Sequence, residues 1–552
     1  RQQKVLESTI KKAIHKCCTQ ELARQAIHGY RRSKTDPRSG ETDFLKTDQP
    51  YHPVKRDLHY RRALKVTESI FRPTRRLKPI AFPDLRYYPW SLSVSAEAPY
   101  LESKQWAEYV RQKQAEGEIE DGRISFHNLY NEIFHENRTH VHQIKNGEAP
   151  FWKDGQPVPY EYTTLHSRSH LVKEDKPDKI RAVFGVPKLL LMVENMFIWN
   201  LQKEYLNEKT SKKAMLWGFE TIRGGWMKLQ GYLSKFRNNT VLSADWSGFD
   251  HKALHEVIDD VHQIWRSWFD FDQGYEPSKS DTHDYSQSET EEWRIQNLWD
   301  WMTHAIKHTP IKAESGNMYS WKFNGIASGF QQTQLLDSFV NCVYLLTSLS
   351  ASGINILSKS FIALFQGDDS VTSFPENVQK DLFLQKLSSE AKERFNADLS
   401  VEKTSLGTTD DVEVLSYGNK SGIAQRPAAE LLAHLLYPER PRTAETTAAA
   451  AVGIAQAAMG TSREVYNTCV ELFTFLTTQW KVTPDYPERN PAATHNPWAE
   501  FRWKPLSAQS FPSFTETFLQ NFDLRTRSEE DKQHLWPTIP TNQANGFHFL
   551  LD

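Results

Sequence analysis

Four aspartates hold the first claim on chemistry in this chain. Asp368 and Asp369 stand side by side in FIALFQGDDSVTSF (361–374), and Asp245 and Asp250 stand five residues apart in VLSADWSGFDHKAL (241–254). Carboxylates at the end of apolar runs are costly to desolvate unless something pairs with them. Either each pair is shown to water at a turn, or the carboxylates converge on a cation. Five residues is the wrong spacing for one face of a helix, so Asp245 and Asp250 would do different jobs. Asp245, at a strand end, is placed to meet an ion, and Asp250 could accept a hydrogen bond from a sugar hydroxyl. Asp245 beside Asp368 would give two or three oxygen ligands from different strands, an incomplete cage that Mg²⁺ accepts when substrate phosphates complete it. Two such ions can activate a hydroxyl and stabilise a leaving pyrophosphate in an in-line displacement.

Those aspartates need elements to hold them. Phe361–Phe365 reads as a strand, Gln366 and Gly367 as a turn, and the residues after Asp369 as the second strand of a β-hairpin. SFPENVQK then reads as a helix start, with Ser373 as N-cap and Glu376 as its capping-box partner, and the helix running to about Phe395. In NGIASGFQQTQLLDSFVN (324–341), Ser328 and Gly329 make a flexible turn before a helix. Thr333, Asp337 and Asn341 recur every four residues and so line one stripe of it. Flanked by Leu335, Leu336, Phe339 and Val340, that stripe faces either water or a ligand that needs hydrogen bonds. In KEDKPDKIRAVFGVPK (173–188), Lys179 and Arg181 alternate with Ile180 and would project to one side of an extended strand. A guanidinium fork and a compact ammonium suit phosphate oxygens, although a solvated charged hairpin would read the same way.

The whole chain sets bounds on these sites. At 552 residues and 64.0 kDa it exceeds one hydrophobic core, so roughly two to four packed subdomains are expected. Its 67 Lys+Arg against 69 Asp+Glu leave a formal charge of −2 and no global field for a polyanion. Local distribution must carry that argument. Between Lys55 and Trp90, ten Lys/Arg face three Asp/Glu, with Tyr60, Phe71, Phe82, Tyr87, Tyr88 and Trp90 interleaved. This mixture suits a surface that meets phosphates and bases, and equally a solvated helical face followed by a Pro-punctuated linker. The opening RQQKVLESTIKKAIHKCC reads as a basic amphipathic helix. Residues 103–240 read as mostly helical, with helices and short strands together from Thr240 onward. The polar stretch 272–292 reads as a loop or inserted connection. Beyond Pro427, TAAAAVGIAQAAMGTSREVYNTCVELFTFL is the strongest helical stretch by propensity. Cys17, Cys18, Cys342 and Cys469 form no CxxC pair, which points to a reducing compartment without a structural disulfide. No run reaches the roughly 18 uninterrupted apolar residues of a membrane span.

The order DxxxxD, then SGxxxTxxxD with a further Asn, then GDD resembles motifs A, B and C of viral RNA-dependent RNA polymerases. GIASGFQQTQLLDSFVN together with FQGDDS is most similar to the partitiviruses, which have double-stranded RNA genomes, with the picobirnavirus polymerases next. The resemblance implies an α+β right-hand fold of fingers, palm and thumb, with an antiparallel palm sheet and largely helical fingers and thumb. By position, 1–95 would be a basic region and fingertips, with the template path along Lys55–Trp90. Residues 96–240 would be fingers, 241–260 palm with motif A, 261–320 a fingers insertion, 321–424 palm with motifs B to E, and 425–520 thumb. The tail 521–552 would be a plug or priming platform.

It also implies an activity: RNA-directed RNA polymerisation that transcribes and replicates a viral genome, primer-independent, by nucleotidyl transfer with two Mg²⁺ or Mn²⁺ ions. Asp245 and Asp368 would be the main metal ligands and Asp369 a secondary one. Asp250, helped by Ser328 and Thr333, would read the ribose 2′-hydroxyl, with Gly329, Asp337 and Asn341 completing the nucleotide site. Lys179 and Arg181 match motif F and would neutralise the triphosphate. Lys403, in NADLSVEKTS (396–405), matches motif D and would protonate pyrophosphate. Tyr417 and Gly418, in VEVLSYGNKSG (412–422), match motif E beside the primer end. The implied partners are RNA template and product, ribonucleoside triphosphates and the viral capsid protein, with no membrane. The implied location is the virion interior and host cytoplasm. Many positive-strand polymerases carry Asn where this helix has Asp337, so the partner of Asp250 stays open between Asp337 and Asn341. A reverse transcriptase would share the palm and its acids but needs a bulky side chain against the 2′-hydroxyl, where this chain has Asp250. An inactive RNA-binding or capsid-associated relative would have no need of every one of these acids.

Overall fold

Four short strands carry the acidic motifs. In the computed structural model, which describes residues 1–207, 214–236, 239–276, 290–485 and 511–523, they form one sheet in the order Ile362–Gln366, Asp369–Phe374, Thr240–Ser243 and Ser405–Gly407. All neighbours are antiparallel, with Thr372 opposite Leu242 and Gln366 opposite Asp369. The hairpin therefore turns on Gly367 and Asp368, one residue later than the turn read from the sequence. Gly367 sits at φ +59, in the left-handed region that a residue without Cβ enters cheaply. Val371, Thr372, Ser373 and Phe374 are all fully buried, so this strand is covered on both faces.

The helix expected from Ser373 begins instead at Lys380, capped by the Gln379 side chain on the N–H of Leu382. Ser373 is held in the sheet opposite Val241, and its hydroxyl accepts from Asn239 Nδ2 at 3.0 Å. Strand pairing has taken the residue that local code offered as a cap.

Behind the sheet lies the helix Thr333–Ala351, buried along almost its whole length from Leu335 to Ser350. It packs on the helix Leu58–Phe71, where Phe71 stacks on Phe339 with ring centroids 4.1 Å apart. This decides the Lys55–Trp90 stretch. Tyr60, Phe71, Phe82, Tyr88 and Trp90 are core residues rather than a platform for bases. Several of its cations face outward into ion pairs, Arg56 with Asp260, Arg75 with Glu204 and Glu276, and Arg76 with Asp270, while Arg86 is buried. Apolar residues at helical spacing buried their rings inward and left the charges on the outer face.

A second four-stranded sheet, in the order Met318–Tyr319, Ile311–Ala313, Thr163–Ser169 and Ile180–Gly185, interrupts the region read as mostly helical. Thr163–Ser169 and Ile180–Gly185 pair antiparallel, placing Arg181 opposite Arg168. The helix Lys188–Leu206 follows at once and is buried nearly throughout.

The strongest helical stretch by propensity is two helices, Ala444–Ala457 and Arg463–Thr478. Met459 and Gly460 adopt positive φ, and Ser462 caps the second helix on the N–H of Val465. With Ala428–Leu436, these helices share a hydrophobic core with the first two helices, Gln2–Cys17 and Gln20–His28. The first 28 residues thus pack with the helical unit expected as the thumb, not with fingertips. Leu6, Ile10 and Ile14 form an apolar stripe that needs a cover, and the C-terminal helices supply it. Tyr30–Arg32 then crosses to pair with Leu171–Lys173, a few residues before Lys179.

Asn521 is buried; its Oδ1 accepts from the N–H of Ala424 and its Nδ2 donates to the Met459 carbonyl, each at 3.1 Å. The tail from residue 524, expected as a plug, and most of the 272–292 stretch lie outside the described residues. Cys17, Cys18, Cys342 and Cys469 are all free thiols, and no helix among the described residues is long and apolar enough to cross a membrane.

Candidate active site

Asp245 follows the strand Thr240–Ser243 by two residues and is pinned by its backbone. Its N–H donates to Thr404 Oγ1 at 3.1 Å and its carbonyl accepts from Ser400 N at 2.8 Å. The same turn carries Lys403. Burial pushes the Asp245 carboxyl up from its usual range, and the cations of Lys403 and Lys179 pull it back. Two lysines read from separate motifs therefore act on one carboxylate.

The hairpin turn brings the other acids to the same place. Asp368 is raised by burial and then by the charge of Asp250, with Arg181 opposing. Asp369 is pushed up to about 7 by burial and by Asp368, Asp245 and Glu413. Acids that repel one another in a half-dry site call for a positive partner. Every donor here is a carboxylate oxygen, which suits a hard divalent cation such as Mg²⁺ or Mn²⁺ rather than a soft metal. Among the described residues no three His, Cys, Asp or Glu side chains form a cage for an ion by themselves. An ion held at Asp245, Asp368 or Asp369 would therefore rest on at most two of these carboxylates as they stand and draw further oxygens from its substrate.

Beside them lies a second acidic pair. Asp250 meets Arg181 at 3.6 Å. Asp337 is raised well above the carboxylate range by burial, then by Asp250, with which it shares a side-chain hydrogen bond. Its Oδ1 is buried without a partner. The open question of the sequence is thus answered: Asp337, not Asn341, faces Asp250. A carboxyl kept neutral by burial and by a charged neighbour donates its proton to that neighbour, as an Asn amide would donate its N–H.

Asn341 has another task. Fully buried, it donates to the carbonyls of Gly367 at 3.0 Å and Asp369 at 3.2 Å and accepts from Trp246 Nε1 at 2.8 Å. All its polar atoms are spent on protein, so it clamps the acidic turn to the segment after Asp245, which corrects its assignment to nucleotide binding. Motif spacing could not separate it from Asp337, because both lie on the same stripe.

A cavity of about 880 Å³ opens in front of these groups and is lined by Arg181, Asp250, Ser328, Gly329, Thr333, Asp337 and Asp368. That size falls within the usual range for small-molecule sites, roughly 300–1,000 Å³. Thr333 donates to the Ala327 carbonyl at 2.5 Å, leaving its oxygen free to accept. Asp245, Asp369, Lys179 and Lys403 lie outside this lining; Asp245 acts by charge on Asp368 and Asp369, and Lys403 and Lys179 act on Asp245. Lys179, Arg181 and Arg168 also act on His170, which burial and then these cations press down to about 4, so the strand pair is a cationic wall. Tyr417, read as part of motif E, is instead buried, its hydroxyl donating to the Ala457 carbonyl at 2.7 Å.

Three cations in the lining, Arg123, Lys188 and Arg440, escaped the sequence reading. Lys188 is 4% exposed, and burial depresses it to about 8. Arg440 arrives from the C-terminal helical unit. Lys188 ends the very segment that carries Lys179 and Arg181, and its place before an apolar run was the available signal; Arg440 had none. Gly329 approaches the Lys179–Arg181 strand so closely that a Cβ would stand 2.4 Å from the Phe184 carbonyl oxygen. Gly329→Ala must therefore push the Ser328 turn away from the strand. The KM for ribonucleotide is expected to rise about tenfold in steady-state incorporation, equivalent to about 1.4 kcal/mol of binding.

Comparison with known proteins gives the same answer. The family model described as viral RNA-dependent RNA polymerase matches residues 42–452. The chain is 30% identical over 476 residues to the RNA-directed RNA polymerase of White clover cryptic virus 1, covering 79% of this chain and 76% of the relative. It is 25% identical over 429 residues to that of Atkinsonella hypoxylon virus, covering 71% and 63%. The crystal structure of the RNA-dependent RNA polymerase of a human picobirnavirus superposes with a TM-score of 0.54 at 12% identity, over 80% of this chain and 75% of that one, and supports the right-hand fold. With its acidic turn, its paired aspartates and its cationic strand in one cavity, the chain belongs to the family of viral RNA-dependent RNA polymerases.

Proposed function

We propose that this RNA-directed RNA polymerase transcribes and replicates the genome of a double-stranded RNA virus by primer-independent nucleotidyl transfer inside its capsid, in the host cytoplasm. Supporting this most directly is the meeting of Asp250, Asp337 and Arg181 beside Asp368 in one cavity, groups of the kinds that would read a ribose, bind a phosphate and hold an ion. Two Mg²⁺ or Mn²⁺ ions held by Asp245, Asp368 and Asp369 would neutralise charge on the transferred phosphoryl group and the leaving pyrophosphate.

The chain's own groups do the rest. Arg181 and Lys179 hold the triphosphate by charge and hydrogen bonds. Asp250, paired with Arg181 and hydrogen-bonded to Asp337, accepts from the 2′-hydroxyl, and Thr333 and Ser328 border that hydroxyl from the opposite side. Lys403, whose charge acts on Asp245, would give a proton to departing pyrophosphate. Template and product RNA and the capsid protein would be its macromolecular partners.

The test is selection between ribo- and deoxyribonucleotides on a single-stranded RNA template. Wild-type protein should prefer the ribonucleotide, and Asp250→Ala should lose about 10–100-fold of that preference, because an unpaired hydroxyl then finds no acceptor. Equal preference in both proteins would sink the reading of Asp250, and absence of template-directed incorporation would sink the polymerase.

A further inference from the structure

Glu194 lies in the middle of the helix Lys188–Leu206, with no exposure to solvent. None of the chemistry above uses it. A carboxyl in such a place is costly to keep. What surrounds it is a matched set of donors. Its Oε1 accepts from the N–H of Gln331 at 3.2 Å, and its Oε2 accepts from the N–H of Gln332 at 3.0 Å and from Gln332 Nε2 at 2.9 Å.

Gln331 and Gln332 belong to the short loop between Ser328 and Thr333. That loop is tied from behind at further points. Gln332 Nε2 is committed to Glu194, so its Oε1 accepts, and His262 Nε2 donates to it at 2.7 Å. His262 is buried and neutral, pressed down to about 4, so this hydrogen bond fixes its tautomer. Tyr88 donates to Gln331 Oε1 at 2.9 Å and Gln202 Nε2 to the Gln331 carbonyl at 3.1 Å. In front, Ser328, Gly329 and Thr333 line the cavity opposite Asp250.

We propose that Glu194 is the positioning residue of the sugar-reading loop: by accepting three hydrogen bonds from Gln331 and Gln332, it sets where Ser328 and Thr333 stand relative to Asp250, and so sets selection for ribonucleotides. This rests on the reading of Asp250 given above. A glutamine would fill the same volume, but it would aim an NH₂ group at N–H donors, and the loop would have to move. Burial also pushes the Glu194 carboxyl up to about 7, and the hydrogen bonds from Gln332 and Gln331 pull it back.

The experiment compares Glu194→Gln with wild type and with Asp250→Ala in steady-state incorporation of a ribonucleotide and its deoxy counterpart, together with RNA binding and melting temperature. For Glu194→Gln, the ribonucleotide KM should rise about tenfold while the deoxyribonucleotide KM stays put, with kcat changed less than about threefold and RNA binding and melting temperature held. Should that variant not fold, Gln332→Met removes one of the three bonds, that from Gln332 Nε2, together with the His262 bond, and should give the same split to a smaller degree. Unchanged sugar preference, or an equal loss for both nucleotides with a fall in melting temperature, overturns the proposal and leaves Glu194 a packing residue. If Asp250→Ala itself leaves the preference unchanged, the ribose reading fails first and takes this inference with it; a loss in Asp250→Ala without one in Glu194→Gln refutes this inference alone.

Discussion

Asp368→Asn is expected to lower ribonucleotide incorporation by about 10³-fold or more, roughly 4 kcal/mol of transition-state stabilisation, while RNA binding is retained. Asp368 occupies the hairpin turn itself, and Gly367 at positive φ lets the chain present it there. It feels Asp245, Asp250 and Asp369, so a change here alters the whole acidic cluster. An Asn side chain has the same shape and keeps the turn, but it lacks the charge that a divalent ion requires. Melting in the presence of a chelator should separate this effect from misfolding. Removing one of several repelling carboxylates relieves a native-state cost, so the variant should melt at or above the wild-type temperature. Added Mg²⁺ or Mn²⁺ should then stabilise the wild type more than the variant, since only a ligand that binds the folded state raises its stability. Activity within tenfold of wild type would show that the turn does not hold the ion.

The difference between what was legible in the sequence and what was not follows the range of the interactions. Asp245, Asp368 and Asp369 could be found because strand, turn and acid are written within a few residues of one another. The four-residue period of Thr333, Asp337 and Asn341 was equally local, and it put all three on one stripe. Which of them faces Asp250 depends on how that helix sits against two strands, and no spacing records that. The same holds for Lys55–Trp90, where composition showed cations among rings but could not show that Tyr60, Phe71 and Trp90 turn inward. The N-terminal helix displayed its apolar stripe plainly, and its partner, more than 400 residues away at Leu432 and Leu472, left no mark nearby. Ser373 is the reverse case, a strong local cap signal overridden by pairing with Val241. Glu194 did leave a signal: one acid inside LLLMVENMFIW is a charge in an apolar run, the same anomaly that drew attention to the acidic turn.

Asn341→Leu should cost about 3 kcal/mol of stability and about 100-fold in the rate of incorporation, although Asn341 touches neither nucleotide nor ion in the arrangement proposed. Leucine fits the volume but leaves three polar groups in a dry interior without their partner, the carbonyls of Gly367 and Asp369 and the indole N–H of Trp246. Each such loss is worth roughly 1–3 kcal/mol when no water can replace it. The effect on rate comes from a different consequence of the same bonds. Asn341 is the common point between the turn that carries Asp368 and the residue that follows Asp245, so it fixes the separation of the two main ion ligands. A displacement of about 1 Å in such a pair is enough for a 100-fold loss. Denaturant unfolding and single-turnover incorporation, measured on the same preparation, would test both effects. A variant that loses stability but keeps the wild-type rate would show that the turn holds its geometry without the clamp. One that loses rate without stability would show that water fills the gap and that only placement has suffered. The expected result is that both fall together, because the bonds that keep this interior satisfied are the ones that keep the acids in register.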